Sequence, residues 1–170
     1  GARSVIVSPD GRNVYVASND DNAVAIFLRD ASENGKLSFI QVLKDGQNGV
    51  DGLDGAYSVT MSPDGKNVYV ATWVDNAVAI FSRDASDNGK LSFIQEVKDG
   101  QNGVDGLAGA ESVTVSPGGR NVYVASSEDP AVAIFSRDAS NNGKLSFLQA
   151  LQGPGSDGTL GGMSVVVRPH

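Results

Sequence analysis

Residues 4–17 read SVIVSPDGRNVYVA, and nearly the same string returns at 58–71 (SVTMSPDGKNVYVA) and at 112–125 (SVTVSPGGRNVYVA). In each copy two β-branched, apolar runs flank a Ser-Pro-x-Gly turn. Proline presets φ at the turn, aspartate bonds its own backbone, and glycine takes a positive φ. The flanking runs carry the valines and tyrosine that suit a pleated strand. The string predicts a β-hairpin, Ser4 to Val7 and Asn13 to Ala17, joined by the turn Ser8 to Gly11.

Outward from the hairpin, a polar link, Ser18 to Asn22, leads to AVAIF at Ala23 to Phe27, a third strand. RDASENG at Arg29 to Gly35 is a second turn, and LSFIQVL at Leu37 to Leu43 a fourth strand. A Gly- and Asp-rich loop, Lys44 to Gly55, returns to the next copy. NVYVA and AVAIF are nearly continuous apolar runs, the pattern of strands buried on both faces rather than one.

The whole unit repeats. Copies begin at Gly1, Gly55 and Gly109, 54 residues apart, and GGMSVVVRPH restarts the pattern at Gly161. Four short strands in a repeat of this length, buried on both faces, predict an all-β fold of β-propeller blades. A β-solenoid has a shorter repeat, and a β-sandwich does not require such regular units. The expected division is a single array over 1–170: blade 1 at 1–54, blade 2 at 55–108, blade 3 at 109–160, and the first strand of a further blade at 161–170. A propeller ring takes about four to eight blades. Three leave two apolar faces open, which implies a fragment, a ring completed by self-association (six blades from two chains, nine from three), or an open array capped by a protein partner.

The pattern SVxVSPDGxxVYVAS, followed by DNAVAIFxRD and GKLSF, resembles the bacterial lactonase-like, or YVTN-type, propeller repeats over essentially the whole chain. The resemblance implies a propeller with Ser4, Ser58 and Ser112 near the start of each blade's inner strand, and frequent secretion or surface display. The blade framework matches, but the acidic and basic residues at the centre of complete seven-bladed lactonases cannot be matched by motif, so no catalytic position is carried over.

Composition narrows the chemistry. The net charge is -7 and the chain has no cysteine. That excludes thiol nucleophiles, zinc-thiolate sites and disulfides, and argues against nucleic acid, whose phosphates need a basic patch. No apolar run is long enough for a membrane helix. The only histidine is His170, at the end of the chain, so a Ser–His–Asp triad has poor support. An acidic, cysteine-free repeat protein fits an extracellular or bacterial cell-surface setting.

The repeats differ from one another at two places. One is the residue before the first-strand serine: Arg3, Tyr57, Glu111 and Met163. The other is the link after the second strand: Asn19–Asp20, Trp73–Val74 and Ser127–Glu128. Antiparallel pairing puts the end of the second strand beside the start of the first, so both places fall on one face. The opposite face, with SPDG and RDASENG, changes less, apart from Asp10 becoming Gly118. The variable face is the predicted ligand or partner site, with Trp73 and Tyr57 as aromatic anchors; the competing reading is drift in tolerant loops. Asp45, Asp51, Asp99 and Asp105, in DGQNGVDGL loops, are the candidate calcium ligands, although the loop lacks the EF-hand register and aspartate and glycine also shape long turns. Arg29, Arg83 and Arg137 are expected to bridge strands or blades.

On this reading the chain is a non-catalytic extracellular binding or structural module without a cofactor. The alternatives are part of a lactonase-like hydrolase and a lectin-like propeller with a glycan site per blade. The lectin reading is weakened because Trp73 has Asn19 and Ser127 as counterparts.

Overall fold

The computed structural model describes residues 1–152. Each Ser-Pro-x-Gly turn folds as its residues dictate. The Gly11 amide donates to the Ser8 carbonyl at 2.8 Å, and the Ser8 hydroxyl donates to Asp10 Oδ1 at 2.6 Å. The turn joins β1 (Ala2–Val7) to β2 (Asn13–Ser18), and β3 (Ala23–Asp30) and β4 (Lys36–Lys44) complete the first antiparallel sheet in sequence order. Blade 2 repeats it with β5 (Ala56–Met61), β6 (Asn67–Thr72), β7 (Ala77–Asp84) and β8 (Lys90–Lys98). Blade 3 does so with β9 (Ala110–Val115), β10 (Asn121–Ser126), β11 (Ala131–Asp138) and β12 (Lys144–Gln152).

The strands run longer than the sequence expectation, most of all the third. The third strand does not end at Phe27 but runs to Asp30, where Arg29 pairs with Leu37 and Asp30 with Lys36. The turn is correspondingly tighter. The Asp30 carboxylate closes it by accepting from the Ser32 amide at 2.8 Å and hydroxyl at 2.6 Å. Opposite Ile26–Phe27 a bulge in β4 shifts the register and sets Phe27 edge-on to Phe39, with ring centroids 6.0 Å apart.

Consecutive sheets pack through their inner strands, β1 on β5 and β5 on β9, while the outer strands β4, β8 and β12 barely touch. Sheets close at one edge and splayed at the other are propeller blades. Two apolar layers fill the wedges. Val68, Val70, Ala79 and Phe81 of blade 2 face blade 1, and the alternating residues Tyr69, Ala71, Val78 and Ile80 face blade 3. Among the described residues, burial on both faces is therefore complete only in blade 2, whose β6 is buried at every position. In blade 1, β1 is mostly exposed because no described blade covers its outer side.

A polar latch closes each wedge on the hairpin side. Arg83 Nε donates to the Tyr15 hydroxyl at 2.8 Å, and its Nη2 donates to Asp10 Oδ2 and Asn13 Oδ1, both at 2.7 Å. Tyr15 and Asn13 donate in turn to the Gly89 and Asn88 carbonyls at 2.8 and 2.7 Å. The second wedge repeats the arrangement with Arg137 on Tyr69, Asp64 and Asn67. The bridging role expected of the repeated arginines is thus seen at Arg83 and Arg137.

The predicted strand at 161–170, with Met163, His170 and the end of blade 3, lies outside the described residues. Among the described residues no helix is long and apolar enough to cross a membrane.

Candidate functional site

The residue before each first-strand serine has a structural identity that the sequence did not reveal. In blade 1, Ala2 pairs with Ser18 and Ser4 with Ala17, so Arg3 is an extra residue in β1. Tyr57 stands in the same relation between Ala56 and Ser58, and Glu111 between Ala110 and Ser112. Each is a β-bulge, a device that bends a strand and re-aims one side chain out of the ladder. The inner strand of every blade therefore presents one freely chosen side chain at the same end.

The links after the second strands sit beside these bulges. The amides of Asn19, Trp73 and Ser127 donate to the carbonyls of Gly1, Gly55 and Gly109, each at 3.0 Å. The approach is close: Gly55 has φ +70°, and a Cβ there would lie 2.7 Å from the Val74 amide nitrogen. A side chain at Gly55 would push the link off the inner strand.

Bulges and links from all three blades line one open depression of about 370 Å³. Arg3 and Asn19 come from blade 1, Tyr57 and Trp73 from blade 2, and Glu111, Ser127 and Glu128 from blade 3. The Arg3 guanidinium lies 5.2 Å from the centroid of the Tyr57 ring, within cation–π range. Trp73 is 39% exposed, so part of its indole is open to a ligand. The depression thus has a cationic wall, an aromatic wall and a wall with two carboxylates. Asp20 and Val74, also predicted here, are not among its lining residues. Asp20 pairs with the Gly1 amino group, and Val74 packs on Gly55.

The first-strand serines have another task. Ser4 Oγ accepts the Val59 amide at 3.2 Å, and Ser58 Oγ accepts the Val113 amide at 3.3 Å. They tie inner strands of neighbouring blades together.

The loop aspartates also serve the backbone. Asp45 and Asp99 accept the amides of Leu53 and Leu107, both at 2.8 Å, and Asp51 Oδ1 accepts the Gly52 amide at 3.0 Å. Among the described residues no three His, Cys, Asp or Glu side chains group as a metal site would require. The equivalent loop position Asp105 adds no further carboxylate to such a group.

One charged cluster escaped the sequence reading because it occurs once. Lys98 Nζ lies 3.0 Å from Asp75 Oδ1 and 3.6 Å from Glu96 Oε1. Burial pushes the Glu96 carboxyl up, and the Lys98 charge opposes that. The counterparts of Glu96 are Val42 and Ala150, so no repeat signal marked it.

Comparison with known proteins gives this face a context. No curated protein matches the chain. Residues 1–157 match the family described as lactonase, 7-bladed β-propeller. Among solved structures, the chain is similar to the periplasmic gluconolactonase of Pseudomonas aeruginosa, with 29% identity and a TM-score of 0.74. That match covers 89% of this chain and 39% of the other. A candidate 6-phosphogluconolactonase from Bacteroides fragilis matches with 25% identity and a TM-score of 0.72, over the same shares of each chain. A protein from Lactobacillus plantarum matches with 25% identity and a TM-score of 0.73, over 88% of this chain and 41% of its own. The chain therefore spans about two fifths of the length of these relatives. Repeat, blade geometry and sequence match agree, and the chain belongs to the lactonase family of seven-bladed β-propellers.

Proposed function

We propose that these blades form part of the active face of a lactonase-like hydrolase that opens a sugar-acid lactone. The family match moves the reading from the non-catalytic module to this alternative. The observation that carries it is the depression itself, where Arg3, Glu111 and Glu128 meet the exposed ring of Trp73. The chemistry needs little more. A glutamate carboxylate takes a proton from water, whose oxygen adds to the lactone carbonyl. The Arg3 guanidinium stabilises the oxyanion of the tetrahedral adduct. The carbonyl re-forms as the ring C–O bond breaks, and the leaving alkoxide takes up the proton. Trp73 and Tyr57 offer flat faces to the C–H side of a sugar ring. The remaining blades of the ring complete the site. The acidic, cysteine-free composition fits an extracytoplasmic setting, and we include that location in the proposal.

The test is hydrolysis of gluconolactone by the native particle containing this chain, followed by pH-stat above the spontaneous rate. Glu111→Gln or Glu128→Gln is expected to lower kcat by roughly 10²- to 10⁴-fold, the usual contribution of a general base. Trp73→Ala is expected to act mainly on KM. No turnover above background, or full kcat in both glutamine variants, would refute the reading.

A further inference from the structure

The two aromatic residues of the depression come from different segments of blade 2. Trp73 sits on the link after β6, and Tyr57 on the bulge of β5. In every blade one backbone bond ties link to inner strand, here from the Trp73 amide to the Gly55 carbonyl. Blade 2 adds a second tie through a side chain. The Asp75 amide donates to the Asp54 carbonyl at 3.2 Å, and Asp75 Oδ2 accepts the Asp54 amide at 2.8 Å. Asp75 follows Trp73 by two residues, and Asp54 precedes Tyr57 by three. One carboxylate thus clamps the segments that carry both aromatic rings.

The clamp is anchored to the outer strand of the blade. Lys98, at the end of β8, donates from Nζ to Asp75 Oδ1 at 3.0 Å, so both oxygens of the carboxylate are engaged. Glu96 draws the same ammonium from 3.6 Å. Its side chain also supports the loop that leads to Asp54, since a Cβ at Gly52 would lie 2.8 Å from Glu96 Cγ. The Asp75 side chain is 16% exposed, and a charge-assisted bond sheltered in this way fixes geometry better than a surface ion pair does.

Blade 3 shows that the fold does not require this clamp. It has Ala108 at the place of Asp54, Ala150 at that of Glu96 and Gln152 at that of Lys98. Its link is held by the backbone, with the Glu128 and Asp129 amides both donating to the Ala108 carbonyl at 3.1 Å. The Asp129 carboxylate meets Gln152 Nε2 at 3.5 Å. Blade 3 nevertheless has the same four strands and the same bulge. The charged clamp is therefore an addition on the blade that carries the aromatic pair.

We propose that Asp75, held by Lys98, is a positioning residue for the aromatic wall. It fixes the spacing between Trp73 and Tyr57 before a ligand arrives, so that binding does not have to order them. The inference rests on the depression being the ligand site proposed above, but the placement of Trp73 can be read without substrate.

Trp73 is the only tryptophan of the sequence, so the intrinsic fluorescence of the full chain reports on this wall. Acrylamide quenching compares the native chain with Asp75→Ala, Lys98→Met and Lys98→Arg, each checked for fold by circular dichroism. Asp75→Ala is expected to raise the quenching constant about twofold, as an indole now 39% exposed is released with its link. Lys98→Met should raise it less, and Lys98→Arg, which keeps the cation, should restore the native value. If Asp75→Ala does not fold, Lys98→Met decides alone, since blade 3 folds with an uncharged residue at that place. In the native particle, Lys98→Met should raise the KM for gluconolactone roughly two- to tenfold with kcat kept, the loss of an aromatic contact made equally before and during the reaction. Native quenching in Lys98→Met, a rise that Lys98→Arg does not reverse, or a fall in kcat at unchanged KM would overturn the proposal. A native particle that opens no lactone refutes the hydrolase reading alone, and the quenching series still decides the clamp.

Discussion

A guanidinium has five donors and no way to shed its charge, so its worth depends on what surrounds it. The three repeat arginines provide an internal comparison at the residue scale. The Arg137 side chain is 2% exposed and serves Asp64, Asn67, Tyr69 and Gly119 together. Arg29 serves Gly11 alone among the described residues. Arg137→Met should therefore destabilise the chain by about 2–4 kcal/mol, because several buried acceptors lose a charged donor at once. Arg29→Met in the same isolated chain should cost less than about 1 kcal/mol. Chemical denaturation of the two variants checks the contrast, and equal losses would show that the latch adds nothing across the wedge. The sequence exposed this role because the arginine recurs in every copy at the same place beside a turn. It could not expose the difference between Arg29 and Arg137, which depends on whether a neighbouring blade is present.

The hairpin between the third and fourth strands shows at the scale of an element how one unit meets two environments. Gly35 and Gly89 hold the same position with φ +80° and +76°. A Cβ at Gly35 would approach only the Arg29 side chain, at 3.4 Å, whereas at Gly89 it would run into the Asn13 amide of the preceding blade. Gly35→Ala should cost about 1–2 kcal/mol, the strain of left-handed backbone for an L-residue. Gly89→Ala should cost clearly more, because it must also break the bond from Asn13 to the Asn88 carbonyl. Thermal unfolding of both variants measures the gap, and identical shifts would deny that the hairpin is an interblade contact. At this scale strand order, turn types and the both-face burial of blade 2 were legible in the pattern. The extension of β3 to Asp30 was not, since Arg29 and Asp30 are polar and resemble a turn until they are seen paired with Leu37 and Lys36. The bulges at Arg3, Tyr57 and Glu111 were hidden too, because an extra residue in a strand leaves no mark on composition. Variation between repeats nevertheless led to those residues, as a bulge frees a side chain from the ladder and lets it differ from blade to blade. Asp20 and Val74 adjoin these residues but do not line the depression.

For the molecule as a whole, the blades are held together by apolar wedges and by latches whose charge state depends on pH. Burial alone would raise the Asp10 carboxyl, but hydrogen bonds from Ser8, Arg83 and the Arg12 amide outweigh it and hold the pKa at about 2, against an ordinary 3.8. Asp64 is lowered for the same reasons, with Arg137 as its cation. A carboxylate depressed on folding contributes stability that is fully present above its unfolded pKa and is lost as pH falls through the folded one. The blade stack should therefore loosen between about pH 4 and pH 2. The hairpin caps Asp30, Asp84 and Asp138, held low by Ser32, Ser86 and Ser140, act in the same direction. Burial pushes Tyr15 and Tyr69 the other way, up to about 12 from 10.0, in spite of the nearby arginines. A phenol raised on folding contributes stability that is complete below its unfolded pKa and is lost as pH rises through the folded value, here between about pH 10 and pH 12. The thermal midpoint should form a plateau across neutral pH with an acid and an alkaline limb. Asp10→Asn with Asp64→Asn should lower the plateau and flatten the acid limb without removing it, because the hairpin caps remain, and should leave the alkaline limb in place. Tyr69→Phe should also lower the plateau, because Arg137 loses an acceptor and the Gly143 carbonyl a donor, and should shrink the alkaline limb while leaving the acid limb in place. An acid limb as steep in the double asparagine variant as in the native chain would assign acid unfolding to the caps rather than to the contacts between blades.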